Sequence, residues 1–207
     1  MNTPRRVIRC VMLPTALFFA AFAQQTAKNS AAPAEAPAPL EIKIHWLDAR
    51  TGQPLPNFQF MVNSRFRPLA MADGHVVRYS TQSQAVTSGG DGTAIVTTPA
   101  PGPLLHIFSL PWQEYNRSKW TDCSEEMICT ADLRAQGYGP ENICEPGKVW
   151  AGARSLAPGE VYMYAKKIGR LAASFGSTGL NRAQVDRFGQ LSEATLKRCP
   201  VPGVPPG

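Results

Sequence analysis

Catalysis would require nucleophiles, bases or metal ligands at workable spacings, and few such sets occur in this sequence of 207 residues. A serine hydrolase of the α/β type places its nucleophile in a G-x-S-x-G turn between strand and helix. The nearest run here is Gly176-Ser177-Thr178-Gly179, one residue short and with no strand pattern before it. A metal centre requires convergent imidazoles, thiolates or carboxylates, but His45, His75 and His106 fall on three separate segments. Asp122, Glu125, Glu126 and Asp132 are oxygen donors of the kind that hold calcium. Their spacing matches no calcium-loop pattern, so they read as a solvated acidic turn. Lys43 offers the amine of a Lys–Asn isopeptide cross-link. The last strand-like segment supplies neither Asn nor Asp to meet it, which makes Lys43 a solvated lysine. These residues give no catalytic set, and no cofactor is implied.

Aromatic rings are the stronger binding candidates. Trp112, Tyr115 and Trp120 share one long connection, and Trp150, Tyr162 and Tyr164 are placed to approach them. Rings so grouped can stack on the face of a pyranose, which makes Trp112, Tyr115, Trp120 and Trp150 the candidate binding residues. Large rings in long loops more often close the open end of a sandwich, with the indole N–H satisfied at the rim, and that reading is preferred.

The cysteines point to a compartment. Residues 1–23 combine Arg5, Arg6 and Arg9, an apolar run, and a closing Ala21-Phe22-Ala23. That is the pattern of a secretory signal, with the mature chain starting at Gln24. Its loss removes Cys10 and leaves Cys123, Cys129, Cys144 and Cys199. An even count in an exported chain reads as two disulfides. The spacings lack the close pairs of a zinc site. Three pairings are open, and Cys123–Cys129 with Cys144–Cys199 is preferred. Loss of the three arginines lowers the formal charge from +6 to +3, too little and too scattered for nucleic acid.

The elements that must position these residues are mostly strands. Residues 24–39 are rich in Ala and Pro with little to bury, a tether. In residues 40–47, Leu40, Ile42, Ile44 and Trp46 alternate with Glu41, Lys43 and His45, the period of a half-buried strand. Phe58, Phe60 and Val62 repeat it, residues 65–74 read as a loop, and residues 76–87 begin as a strand. Residues 88–110 form a strand–loop–strand unit entered by the turn dipeptide Asp91-Gly92. Thr130 is a candidate cap for a short helix over 131–136, closed by Gly137. Residues 148–151 and 161–167 are further strands. The predicted buried set is Ile42, Ile44, Trp46, Phe58, Phe60, Val62, Ala94, Val96, Val161 and Met163. Ile107 and Phe108 point opposite ways on a strand covered on both faces. Asn181 caps a helix over 181–198, with Ala183, Phe188, Leu191 and Ala194 near one face, inside a C-terminal extension of residues 168–207. Short strands at this spacing predict a mainly β fold, an antiparallel Greek-key β-sandwich over residues 40–167.

Asp48-Ala-Arg-Thr-Gly-Gln-Pro-Leu-Pro-Asn57, Gly90-Asp-Gly-Thr-Ala94 and the Pro/Gly-rich hairpin that follows resemble the carboxypeptidase-regulatory-like modules, transthyretin-like (prealbumin-like) β-sandwiches of exported bacterial proteins. Asn142-Ile143-Cys144 and Pro158-Gly159-Glu160-Val161 are similar to the later part of stand-alone bacterial members. The resemblance spans residues 40–167 and implies a non-catalytic accessory. Transthyretin-like hydrolases end in Tyr-Arg-Gly-Ser, whereas this chain ends in Val-Pro-Pro-Gly. The expectation is an exported interaction module whose partner is a cell-envelope protein or a glycan. Carbohydrate binding through loop aromatics is the second reading, and a divergent hydrolase the third.

Overall fold

The computed structural model describes residues 38–110, 120–169 and 179–203. Its strands are β1 (Leu40–Asp48), β2 (Gln59–Ala70), β3 (Val76–Thr87), β4 (Thr93–Thr98), β5 (Leu104–Ser109), β6 (Trp120–Asp122), β7 (Met127–Cys129) and β8 (Glu160–Lys167). The helices are α1 (Thr130–Gln136) and α2 (Arg182–Arg198), with a 3₁₀ turn at Ala151–Arg154. The strands form two four-stranded sheets, β4-β1-β8-β6 and β3-β2-β5-β7, packed as a β-sandwich. One pair departs from the expected antiparallel pattern. β1 and β8 run parallel, with Ile44 opposite Val161 and Trp46 opposite Met163.

The alternation in β1 decides what lies between the sheets. Leu40, Ile42, Ile44 and Trp46 are buried there against Phe58, Phe60, Val62, Ala94, Val96, Ile107, Val161 and Met163, so every residue of the predicted core is in it. Trp46 packs on Phe58 at 4.6 Å and on Phe60 at 5.6 Å between ring centroids. Ile107 is buried in this layer, while Phe108 is only partly buried on the other face of β5.

Each sheet carries a second, smaller apolar cluster on its outside. Beyond the first sheet, Leu47, Ala49, Cys123, Cys144, Ala153 and Tyr164 are buried together. Beyond the second, Leu104 and Val201 are buried beneath Phe66, Val76, Met127, Leu196 and Cys199. The disulfides Cys123–Cys144 and Cys129–Cys199 hold these outer layers on. The expected pairing is therefore corrected. Cys123 follows β6 of one sheet and Cys129 ends β7 of the other, and their side chains leave on opposite outer sides. Packed sheets stand about 10 Å apart, too far for one disulfide to span.

Other expectations shift locally. Residues 65–74 are not a loop, because β2 continues to Ala70 and pairs with β3 as far as Val76. Met71 N–H donates to His75 O at 2.7 Å, so the next pairs along the ladder alternate, and Pro68 falls opposite Arg78 where β2 has no donor to supply. Residues 148–150 are not a strand, and the chain turns into the 3₁₀ segment after Trp150. Thr130 does not cap α1 from outside. It is the first helical residue, and its hydroxyl donates to Gly102 O at 2.6 Å. Gly137 closes α1 at φ 72°, in the left-handed region that glycine adopts without strain.

α2 opens with the expected Asn181, completed by Gln184 into a capping box. Its docked face keeps Phe188 and Leu191 of the predicted one and drops Ala183 and Ala194. Ala183 and Ala194 are exposed, while Gln184, Phe188, Leu191, Thr195 and Leu196 turn inward. Polar groups share the docking with Leu196, which packs by Leu104 and Val201. Gln184 Nε2 donates to Ile143 O at 3.1 Å, and the Thr195 hydroxyl donates to Glu125.

Candidate functional site

The acidic residues that end and follow β6 are not a solvated turn; they join elements. A carboxyl oxygen of Asp122 accepts the Ser109 N–H at 3.1 Å, linking β6 of one sheet to β5 of the other. Its carboxyl is pushed up to about 8, first by burial and then by the neighbouring Glu126 carboxylate, with which it shares a hydrogen bond. Glu126 Oε2 lies 2.9 Å from His106 Nε2, and the His106 ring stacks on Phe108 at 4.6 Å. Glu125 is buried and accepts the hydroxyls of Tyr138 and Thr195. Burial raises its carboxyl, opposed by the Tyr138 hydrogen bond and by the charges of Arg198 and Arg187. Asp132 meets Arg198 of α2 at 3.4 Å. Among the described residues, no group of three or more His, Cys, Asp or Glu is placed to hold a metal ion.

A second polar group lies on the outside of the first sheet. His45 and Tyr162 are register neighbours on β1 and β8, and their rings stack at 4.3 Å with 11° between planes. His45 Nδ1 lies 3.2 Å from Thr93 Oγ1, and its Nε2 lies 3.7 Å from Glu160 Oε1. Lys43 Nζ sits 3.3 Å from the same carboxylate oxygen, so this lysine is ion-paired at the surface. Burial and the Lys43 charge lower the His45 pKa, opposed by the Glu160 carboxylate. His45 and His106 lie on opposite sheets and His75 follows the hairpin turn, so the three imidazoles do not converge.

Of the candidate binding rings, Trp112 and Tyr115 lie outside the described residues. Trp120 meets Phe58 edge-on at 5.7 Å and packs against the layer between the sheets. Trp150 packs in the cluster outside the first sheet. Its ring lies across Gly52, where a Cβ would stand 2.3 Å from the indole, and Gly52 itself has φ 72°. Trp120 and Trp150 thus serve opposite sides of one sheet and share no surface. The expected satisfied indole is absent at Trp150, whose Nε1 is buried without a hydrogen-bond partner among the described residues. All four disulfide candidates, Cys123, Cys129, Cys144 and Cys199, are bonded, in the corrected pairing.

The surface that sequence reasoning missed is the β2–β3 hairpin. Phe60 and Val62 of β2 face the core, and extra residues at Ser64 and Thr81 carry the register onward. Counting by twos past them puts Arg67, Leu69, Val77 and Tyr79 on the face continuous with the core. There Leu69, Met71, Val77 and Tyr79 are 40 to 49% exposed. The Arg67 guanidinium stands 5.7 Å from the Tyr79 ring centroid. The opposite face is covered: Phe66 and Val76 pack by Leu104, Leu196 and Val201. The available signal was Asp73-Gly74 between two alternating runs, a strong mark of a hairpin. Gly74 N–H donates to Met71 O at 3.0 Å, and Asp73 Oδ1 accepts His75 N–H at 3.0 Å. Compared with protein-family models, curated proteins and solved structures, the chain matches none of them.

Proposed function

We propose that this chain is a non-enzymatic, exported β-sandwich module that makes contacts at the cell envelope or outside the cell. The observation that carries the reading is the face of the β2–β3 hairpin that no described element covers. Leu69, Val77 and Tyr79 continue the core face of the second sheet, yet they stand in solvent. A contiguous apolar patch of this kind on a folded domain is the usual mark of an interaction site. Two disulfides and a signal-like first segment support export. The turn motifs that resemble carboxypeptidase-regulatory-like modules agree with an accessory role.

The test is site-specific photocrosslinking in cells that naturally make the protein. A photoreactive residue at Tyr79 is expected to give discrete adducts, and one at Ile95, exposed on the outside of the other sheet, is expected to give none. Equal labelling from both positions, or none from Tyr79, overturns the reading. A glycan-array signal that survives Tyr79→Ser would transfer the function to the carbohydrate reading.

A further inference from the structure

We propose that β3 is an acceptor edge to which an extended, acidic segment of a partner protein adds as a further strand. This rests on the interaction reading above and names the chemistry of the partner. β3 is twelve residues long and ends its sheet, so one side of it has no neighbouring strand among the described residues. The ladder identifies which backbone groups are free. Since Met71 N–H donates to His75 O across the hairpin end, the groups of Val76, Arg78 and Ser80 turn away from β2. At the far end Ser88 N–H donates to Phe58 O at 2.9 Å, so Ser83, Ala85 and Thr87 turn outward in the same way. Natural edges are usually blunted by proline, by charge or by brevity. β3 contains no proline and a single charge, Arg78.

Charge chooses the occupant. Arg65, Arg67 and Arg78 make no ion pair among the described residues, and Asp73 is the only acid from residue 65 to residue 80. The two faces of the hairpin differ. Arg67, Leu69, Val77 and Tyr79 share one, while Arg78 lies on the other with Phe66. An added strand of alternating apolar and acidic residues matches both. Its apolar side chains cover Val77 and Tyr79, and its carboxylates on the other side reach Arg78. Main-chain hydrogen bonds supply affinity in this mode, and alternate side chains supply specificity.

The experiment uses the full mature chain with its disulfides intact and labelled peptides of alternating Val and Glu, about ten residues long to match a strand. Fluorescence anisotropy is expected to show saturable binding. N-methylation of alternate peptide amides, or Lys in place of Glu, is expected to weaken binding about tenfold or more. Arg78→Gln should weaken it and Arg78→Pro should abolish it. Proline at an outward-facing edge position leaves the fold intact, so unchanged thermal melts accompany both variants. Equal affinity for the N-methylated peptide overturns strand addition. So does equal binding of oligothymidylate or phosphatidylglycerol vesicles at physiological salt, which would mark a general polyanion patch. Sedimentation as a dimer that Arg78→Pro disperses would give the edge to a second copy and overturn the acidic partner. Discrete crosslinks at Tyr79 with no peptide binding would sink this proposal while leaving the interaction reading standing.

Discussion

At the scale of single residues, the burial of side chains with charge or large volume dominates. Asp122 holds a proton in the folded state to about pH 8, whereas an unfolded aspartate loses it near pH 3.9. Between those values the folded chain binds more protons than the unfolded one, so stability falls as pH rises. Wild-type protein should therefore lose melting temperature from about pH 4 to pH 8 relative to Asp122→Asn. That variant keeps the acceptor for Ser109 N–H and removes the titration. A wild type and variant with parallel pH profiles would show that Asp122 is ordinarily ionised. Phe60, fully buried beside Trp46, illustrates volume. Phe60→Ala should cost about 3–5 kcal/mol in denaturant melts. A loss below about 1 kcal/mol would place the ring outside the core.

Elements add what single residues lack. α2 is a long helix with exposed Ala183, Val185 and Ala194, and it is held by the Cys129–Cys199 disulfide, by the packing of Leu196 near Leu104 and Val201, and by polar contacts. Gly189 lies on its exposed side, and a Cβ there would meet nothing within 4 Å. Gly189→Ala should stabilise the protein by up to about 1 kcal/mol, the helix-propensity difference, read as a rise in melting temperature. The disulfides hold the outer layers on in different ways. Cys123–Cys144 closes a separation of 21 residues and Cys129–Cys199 one of 70. On the chain-entropy model these contribute about 3.3 and 4.4 kcal/mol. Non-reducing peptide mapping should recover those two pairs, and Cys129→Ala with Cys199→Ala should be the more destabilising of the two double replacements. A Cys123–Cys129 peptide would contradict the layering described here.

At the largest scale, the described residues form a sandwich clad on both outer sides, with one hairpin face that none of them covers. The clusters beyond each sheet and the two disulfides account for the cladding. Two disulfides fit an oxidising compartment. The proposed export predicts that mass spectrometry of the protein from its own cells finds a mature N-terminus at Gln24, in the periplasm, at the surface or in the medium. Retention of residues 1–23 with reduced cysteines in the cytosol would overturn export.

The sequence by itself determined the layer between the sheets. Ile42, Ile44 and Trp46 keep a period of two that admits one buried face, and Phe58, Phe60 and Val62 answer it. Asn181 marked the start of α2 for an equally local reason, a side chain bonding the first free N–H groups. Where partners lie far apart in the chain, local pattern carried no information. Cys123 and Cys129 are near in sequence, yet they leave opposite outer sides of the sandwich. Glu125 meets Thr195 across 70 positions. Gln184 and Thr195 supply the polar part of the docked face of α2, which hydrophobic periodicity does not register. Only the tertiary structure decided which acids are buried, because burial of Asp122 and Glu125 depends on neighbours brought by other strands and by α2. The same holds for the bare hairpin face: alternation marks an apolar side, and only the reach of the opposing sheet decides whether that side is covered.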